Sequence, residues 1–126
     1  MSLVDEQLEA LKRDWPGATA QRLPSGAFLV TVPDLPLPAG WTAESTTVRF
    51  LAPVGYPHAK PDCFWADEGV RRANGAIPQA SNLQEIPESG GLRGLWFSWH
   101  VGQWNPNQDT LKTFMNVIRN RFSQAQ

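Results

Sequence analysis

Apolar residues recur at helical spacing near both ends of the chain. Near the N-terminus these residues are Leu3, Val4, Leu8 and Leu11. They predict a short amphipathic helix over residues 3–14, with Ser2 as its N-cap. Near the C-terminus the same spacing connects Leu111, Phe114, Met115, Ile118 and Phe122. It predicts a longer amphipathic helix that opens near Asn105. The charged residues that we interpret as part of its polar face are Lys112, Arg119 and Arg121.

The middle of the chain contains β-rich runs separated by breakers. The runs are residues 27–32, 45–51, 63–66 and 95–99. In the second run, strict alternation predicts a half-buried strand. One face carries Thr46, Val48 and Phe50, and the other carries Thr47, Arg49 and Leu51. Because the first connections are short, we expect an antiparallel meander of four strands. The predicted fold class is therefore α+β: an N-terminal helix, this meander, a long loop and a C-terminal helix.

Proline and glycine interrupt the pattern in three places. Residues 33–40 contain three prolines, and residues 53–61 contain three prolines and one glycine, so both stretches predict irregular loops. Between residues 67 and 94 the apolar density falls, which predicts one long loop. Since 126 residues suit one hydrophobic core, we expect a single domain over residues 1–126.

Charge and composition exclude several classes of function. With 11 basic and 12 acidic residues, the chain lacks the basic excess of a general nucleic-acid binder. No apolar run approaches the roughly 20 residues that cross a bilayer, and no signal peptide is evident, so we expect a cytoplasmic protein with no membrane partner. One cysteine and two histidines argue against a disulfide or a zinc site, and no metal is predicted. We interpret the six tryptophans mainly as core residues.

Two short motifs resemble the ubiquitin-conjugating enzymes. Tyr56-Pro57, followed by Pro61, is similar to the Tyr-Pro-x-x-Pro-Pro turn of that family. Trp104-Asn105-Pro106, just before the last helix, is similar to its Trp-x-Pro motif. The order and rough separation of the two motifs also agree. The resemblance covers nearly the whole chain and implies a UBC-like fold in which Tyr56, Pro57, Pro61, Trp104 and Pro106 support the site.

The closest resemblance is to a bacterial branch of this superfamily, prokaryotic family E. It is carried by Pro61-Asp62-Cys63-Phe64 and by Ser98-Trp99-His100, which precedes Trp104 and the Asp109-Thr110-Leu111 stretch. The resemblance implies partnership with a bacterial ubiquitin-like protein and its activating enzyme. It implies no cofactor, since the activating enzyme would use the ATP. Asp62 joins the supporting residues on this resemblance.

The chain departs from the common pattern of the family at its reactive position. Ubiquitin-conjugating enzymes place a cysteine eight residues before the motif tryptophan, and here Trp96 stands eight residues before Trp104. The His-Pro-Asn turn of the family is also missing. The ordinary thioester mechanism therefore does not carry over to this sequence.

Three interpretations of the chemistry stay open, and each uses different residues. First, Ser98 is a nucleophile and His100 its base, because residues i and i+2 share a face in extended chain; Asn82 or Asn105 would then stabilise the oxyanion. Second, Cys63, the only thiol, is the nucleophile, although a cysteine beside aromatic residues is often a small buried hydrophobe. Third, the protein is an inactive binding module for a ubiquitin-like protein or its activating enzyme. A chance match by an unrelated α+β domain is the remaining alternative.

Overall fold

A computed structural model describes residues 2–126. Within these residues the chain forms two helices and six strands. In chain order they are α1 (Leu3–Leu11), β1 (Thr19–Arg22), β2 (Phe28–Pro36), β3 (Ser45–Ala52), β4 (Phe64–Ala66), β5 (Ser81–Glu85), β6 (Arg93–Phe97) and α2 (Leu111–Phe122). No helix in this part of the chain is both long and apolar enough to cross a membrane.

All six strands form one antiparallel sheet in the order β1-β2-β3-β4-β6-β5. The first four strands are a meander, in which each strand pairs with the next along the chain. The β5–β6 hairpin then returns so that β6 pairs with β4 and β5 forms the outer edge. The α+β prediction and its helix–sheet–helix order are therefore confirmed, but the sheet has six strands rather than four.

The two strands that the sequence pattern missed, β1 and β5, are the two edges of the sheet. Both are short, and most of their side chains are at least partly exposed. An edge strand that buries few side chains needs no hydrophobic alternation, so polar residues give no strand signal. Because β5 lies at residues 81–85, the prediction of one long loop over 67–94 was wrong.

Strand β2 also runs further than its sequence predicts. We expected it to end at Pro33, but it continues to Pro36 across an irregularity in register between Val32 and Leu35. Asp34 has a positive φ of 62° at this point. Because a bulge releases a ladder hydrogen bond, it accommodates a proline inside the strand.

Side-chain caps explain where the two helices begin. The Ser2 hydroxyl accepts a hydrogen bond from the backbone of Asp5, which confirms the predicted N-cap. Helix α1 then ends at Leu11, three residues before the predicted limit. Helix α2 begins at Leu111 after a Thr110 cap, rather than near Asn105, because residues 106–108 form a turn.

The main core lies between the helices and one face of the sheet, here called the inner face. Strand β3 alternates as predicted and directs Thr46, Val48 and Phe50 inward. The Phe50 and Phe114 rings lie 4.9 Å apart. The opposite face, here called the outer face, carries a second cluster of buried residues. This outer cluster consists of Leu23, Leu29, Trp65 and Ile86. The helices thus cover the inner face of the sheet, and loop residues cover part of the outer face.

Candidate functional site

The candidate residues converge where β4 and β6 meet. The last pair of the β4–β6 ladder is Phe64 with Phe97. Cys63 and Ser98 are each one residue beyond this pair, and both are partly buried. The backbone N–H of Ser98 donates to the carbonyl of Ala80 at 2.8 Å, which fixes the chain as it leaves β6. The two candidate nucleophiles therefore flank the same point, here called the ladder end.

His100 is paired with Asp62 at the ladder end. Its Nδ1 lies 2.6 Å from Asp62 Oδ1 and 3.1 Å from the Asp62 carbonyl oxygen. Both side chains are more than half exposed, at 57% for His100 and 64% for Asp62. A proton on Nδ1 is held by the carboxylate, so Nε2 becomes the basic nitrogen. This is the arrangement in which a carboxylate orients a histidine as a general base.

The Ser98 hydroxyl is not hydrogen-bonded to His100. Within residues 2–126 the imidazole bonds to Asp62, and Ser98 bonds through its backbone N–H. Proton transfer from Ser98 requires Nε2 to come within hydrogen-bond distance of Oγ, and such contacts often tighten only when substrate binds. The catalytic roles of Ser98 and His100 therefore stay predictions.

Cys63 is in an environment that favours the neutral thiol. Burial raises its pKa, a hydrogen bond with the Trp96 side chain lowers it in part, and the Asp62 charge raises it again. Because the thiolate is the reactive form, a raised pKa makes the thiol a weaker nucleophile at neutral pH. The sulfur also packs against the outer cluster, as a small hydrophobe would.

The two family-like motifs contact each other directly. The Trp104 indole N–H donates to the Pro57 carbonyl at 2.7 Å, and the Trp104 and Tyr56 rings lie 6.0 Å apart. The Tyr56 hydroxyl donates to Gln7 Oε1, which also accepts from the backbone N–H of Leu111 at 3.0 Å. Burial raises the pKa of Tyr56, so its hydroxyl remains a donor. These contacts tie the proline-rich turn to both helices.

The other supporting residues lie around this arrangement. Pro61 is buried just before the ladder end, and Pro106 is half-buried in the turn before α2. Asn105 Oδ1 accepts from the backbone of Asn107, which occupies one side of its amide. Asn82 is exposed on β5, opposite Trp96 in the ladder. The proposed oxyanion roles of Asn82 and Asn105 stay predictions.

Arg121 lies near the ladder end and contacts both neighbours of Ser98. It is only 2% exposed, so its place on the polar face of α2 was an error. Its guanidinium carbon lies 5.1 Å from the Phe97 ring centroid and 5.2 Å from the Trp99 ring centroid, the two neighbours of Ser98. It also donates to the Gln79 carbonyl at 3.0 Å. Arg121 lies three residues after Ile118 and seven after Phe114, so it shares their apolar face of α2, and this spacing could have predicted its burial.

Arg121 connects α2 to Ser98 by two routes. The first is the contact with the aromatic rings on either side of Ser98, which is a cation–π arrangement. The second runs through Gln79, because the next residue, Ala80, accepts the Ser98 backbone hydrogen bond. The buried cation therefore packs against the side chains on both sides of the candidate nucleophile and binds the chain segment that accepts the Ser98 hydrogen bond.

The described residues form no metal site at the ladder end, and the cavity at the end of β2 lies elsewhere. Among residues 2–126, no three His, Cys, Asp or Glu side chains are grouped closely enough to hold a metal ion. A cavity of about 720 Å³ lies between the end of β2 and α2, with Leu35, Arg119 and Phe122 among its lining residues. None of the predicted site residues lines it.

The structure is consistent with the UBC-like class of α+β proteins. It has a helix, an antiparallel sheet and a second helix in this order, and the two motifs are in contact. The model of prokaryotic E2 family E matches residues 17–125, and the chain belongs to this family. No curated protein and no solved structure was found to match the chain.

Proposed function

We propose that this protein accepts the C-terminus of a ubiquitin-like modifier from an activating enzyme and transfers it to an amine or a hydroxyl group. The covalent intermediate is an oxyester on Ser98. Family membership supports the class of reaction. The observation that carries the proposal is the Asp62–His100 pair, which leaves a basic nitrogen available two residues from Ser98. No metal or organic cofactor takes part.

The proposed transfer occurs in two balanced steps. In the first, the Ser98 hydroxyl loses its proton to His100 Nε2 as Oγ attacks the carbonyl carbon of the modifier thioester. The C–S bond breaks, and the thiolate of the activating enzyme takes the proton from His100. In the second step an acceptor amine or hydroxyl loses a proton to His100 Nε2 as it attacks the ester carbonyl, the C–Oγ bond breaks, and His100 returns this proton to Ser98 Oγ. An amide N–H from Asn82 or Asn105 would stabilise the oxyanion formed in each step.

Ser98 is favoured over Cys63 by the chemistry of the two side chains. A serine hydroxyl is activated by a neighbouring base, and the Asp62–His100 pair provides one at the ladder end. A thiol is activated by a lowered pKa, whereas burial raises that of Cys63. The single thiol therefore lacks the environment typical of a reactive cysteine.

The test is an intact-mass measurement after incubation with the modifier, the activating enzyme and ATP. We expect the wild-type protein to gain the mass of one modifier less one water. The Cys63→Ser variant should gain it equally, and Ser98→Ala should not. An undiminished adduct on Ser98→Ala would exclude the serine, and loss of the adduct only in Cys63→Ser would assign the thiol.

A second candidate function is an inactive module that binds the modifier or its activating enzyme. It is favoured by the missing hydrogen bond between Ser98 and His100 and by the raised pKa of Cys63. Binding in the same mixture without any adduct, measured by calorimetry or fluorescence anisotropy, would select this alternative.

A further inference from the structure

Two hairpin loops from opposite edges of the sheet meet on the outer face. One loop, residues 23–27, joins β1 to β2, and the other, residues 86–92, joins β5 to β6. The Ser25 backbone N–H donates to Glu88 Oε1 at 2.8 Å, and the Ser25 hydroxyl donates to Glu88 Oε2 at 2.7 Å. Both carboxylate oxygens are therefore used in one contact between residues that are 63 positions apart.

Each of the two loops contributes one residue that covers the outer cluster. Leu23 from one loop and Ile86 at the start of the other are 4% and 1% exposed. They pack with Leu29 and Trp65, which project from the sheet, and Cys63 packs against the same cluster. The loops thus form a strap across the outer face, with Cys63 at its margin.

The contact that joins the two loops is exposed and lies beside backbone positions of positive φ. Ser25 and Glu88 are both exposed, so their hydrogen bonds compete with water. Glu88 has a positive φ of 58°, and Gly90 and Gly91 follow with φ values of 74° and 98°. Glycine adopts a positive φ at little cost, whereas glutamate in this conformation is strained. The loop that carries the carboxylate is therefore the part of the strap whose backbone changes conformation most easily.

A buried polar group beneath the strap favours opening. The Trp65 indole N–H has no hydrogen-bond partner within residues 2–126, although the side chain is only 4% exposed. A buried donor without a partner forfeits the hydrogen bond that it makes with water. Opening of the strap returns water to this donor, which offsets part of the cost of exposing Leu23 and Ile86.

We propose that the Ser25–Glu88 contact is a latch, and that its release opens the strap and uncovers Trp65 and Cys63 while the inner core stays folded. Because Cys63 and Ser98 flank the same ladder end, the latch controls solvent access to the outer side of the candidate site. The latch does not depend on the proposed acyl transfer, since it can be measured on the thiol without any partner.

The test is the rate at which an aromatic disulfide reagent labels Cys63 in the folded protein. Glu88→Gln and Ser25→Ala each remove part of the latch, and we expect each to raise the rate about tenfold or more. The matched control is Glu85→Gln, since Glu85 is an exposed glutamate in the same hairpin whose side chain makes no hydrogen bond within residues 2–126. The control should label at the wild-type rate. The double variant should resemble the faster single variant, because both changes release one contact.

Denaturant separates strap opening from general unfolding. Local opening exposes little surface, so the labelling rate of the latch variants should depend only weakly on urea at low concentration. Hydrogen exchange should rise in residues 23–27 and 86–92 and stay unchanged in α2. The proposal is overturned if the latch variants label like the control. It is equally overturned if their labelling follows global unfolding, with the same urea dependence and faster exchange in α2.

Discussion

The Asp62–His100 pair should matter for activity and contribute little to stability. His100→Gln removes the imidazole but keeps a polar side chain of similar length. Because both partners are more than half exposed, their interaction contributes little to folding, and we expect the free energy of unfolding to change by less than about 1 kcal/mol. A general base, in contrast, contributes roughly 10²–10⁴-fold to rate. Adduct formation should therefore fall about 100-fold or more in His100→Gln.

The assay is single-turnover transfer from a preloaded activating enzyme, followed by intact mass. The matched control is His58→Gln, since His58 is the other histidine of the chain and is exposed in the proline-rich turn. It should transfer at the wild-type rate. Asp62→Asn should be slower than wild type but faster than His100→Gln, because it misorients the base without removing it. Equal rates for His100→Gln and His58→Gln would refute the role of the pair.

Three further predictions test the surroundings of the ladder end. A Cβ added to Gly94 would lie 2.7 Å from a backbone carbonyl of β4, so Gly94→Ala should lower the free energy of unfolding by about 1–3 kcal/mol in urea denaturation. Gly69→Ala, which meets no atom within 4 Å, should cost nothing; equal effects would contradict this packing. Burial raises the pKa of Cys63, so the rate of iodoacetamide labelling should reach its pH midpoint at a higher pH than for an ordinary thiol. A midpoint at or below that of an ordinary thiol would contradict this. The stability contributed by the protonated thiol is present below the ordinary thiol pKa and is lost as pH rises through the higher folded value. Trp104→Phe leaves the Pro57 carbonyl without its donor and should destabilise by about 1–3 kcal/mol; an unchanged urea midpoint would show that this bond does not support the turn.

The sequence predicts those elements whose own residues carry the signal. Helix α2 follows from apolar residues at steps of three and four, and β3 follows from strict alternation of buried side chains. Strands β1 and β5 could not be predicted this way, because edge strands are defined by their hydrogen bonds to a neighbour rather than by burial. Arg121 was wrongly predicted on the polar face of α2, because a charged residue is usually exposed. Its position in line with the apolar residues of α2 would have indicated burial.

The sequence indicated which residues to consider for the candidate site, but not how they are arranged. Motif resemblance selected Asp62, Ser98 and His100, yet the contact of His100 with Asp62 joins residues that are 38 positions apart. The register that sets Cys63 and Ser98 at the same ladder end depends on β4 pairing with β6 rather than with β5. Long-range pairing of this kind has no local signature in the sequence.

The chemical nature of the modifier bond tests the central claim most directly. In the wild-type protein we predict an adduct that mild alkali cleaves and that a thiol reductant leaves intact, as expected of an oxyester. Exchanging the nucleophile in Ser98→Cys, with Cys63→Ser to remove the native thiol, should convert it to an adduct that reductant removes. A wild-type adduct that reductant removes, or no change of bond type in the double variant, would contradict transfer through Ser98.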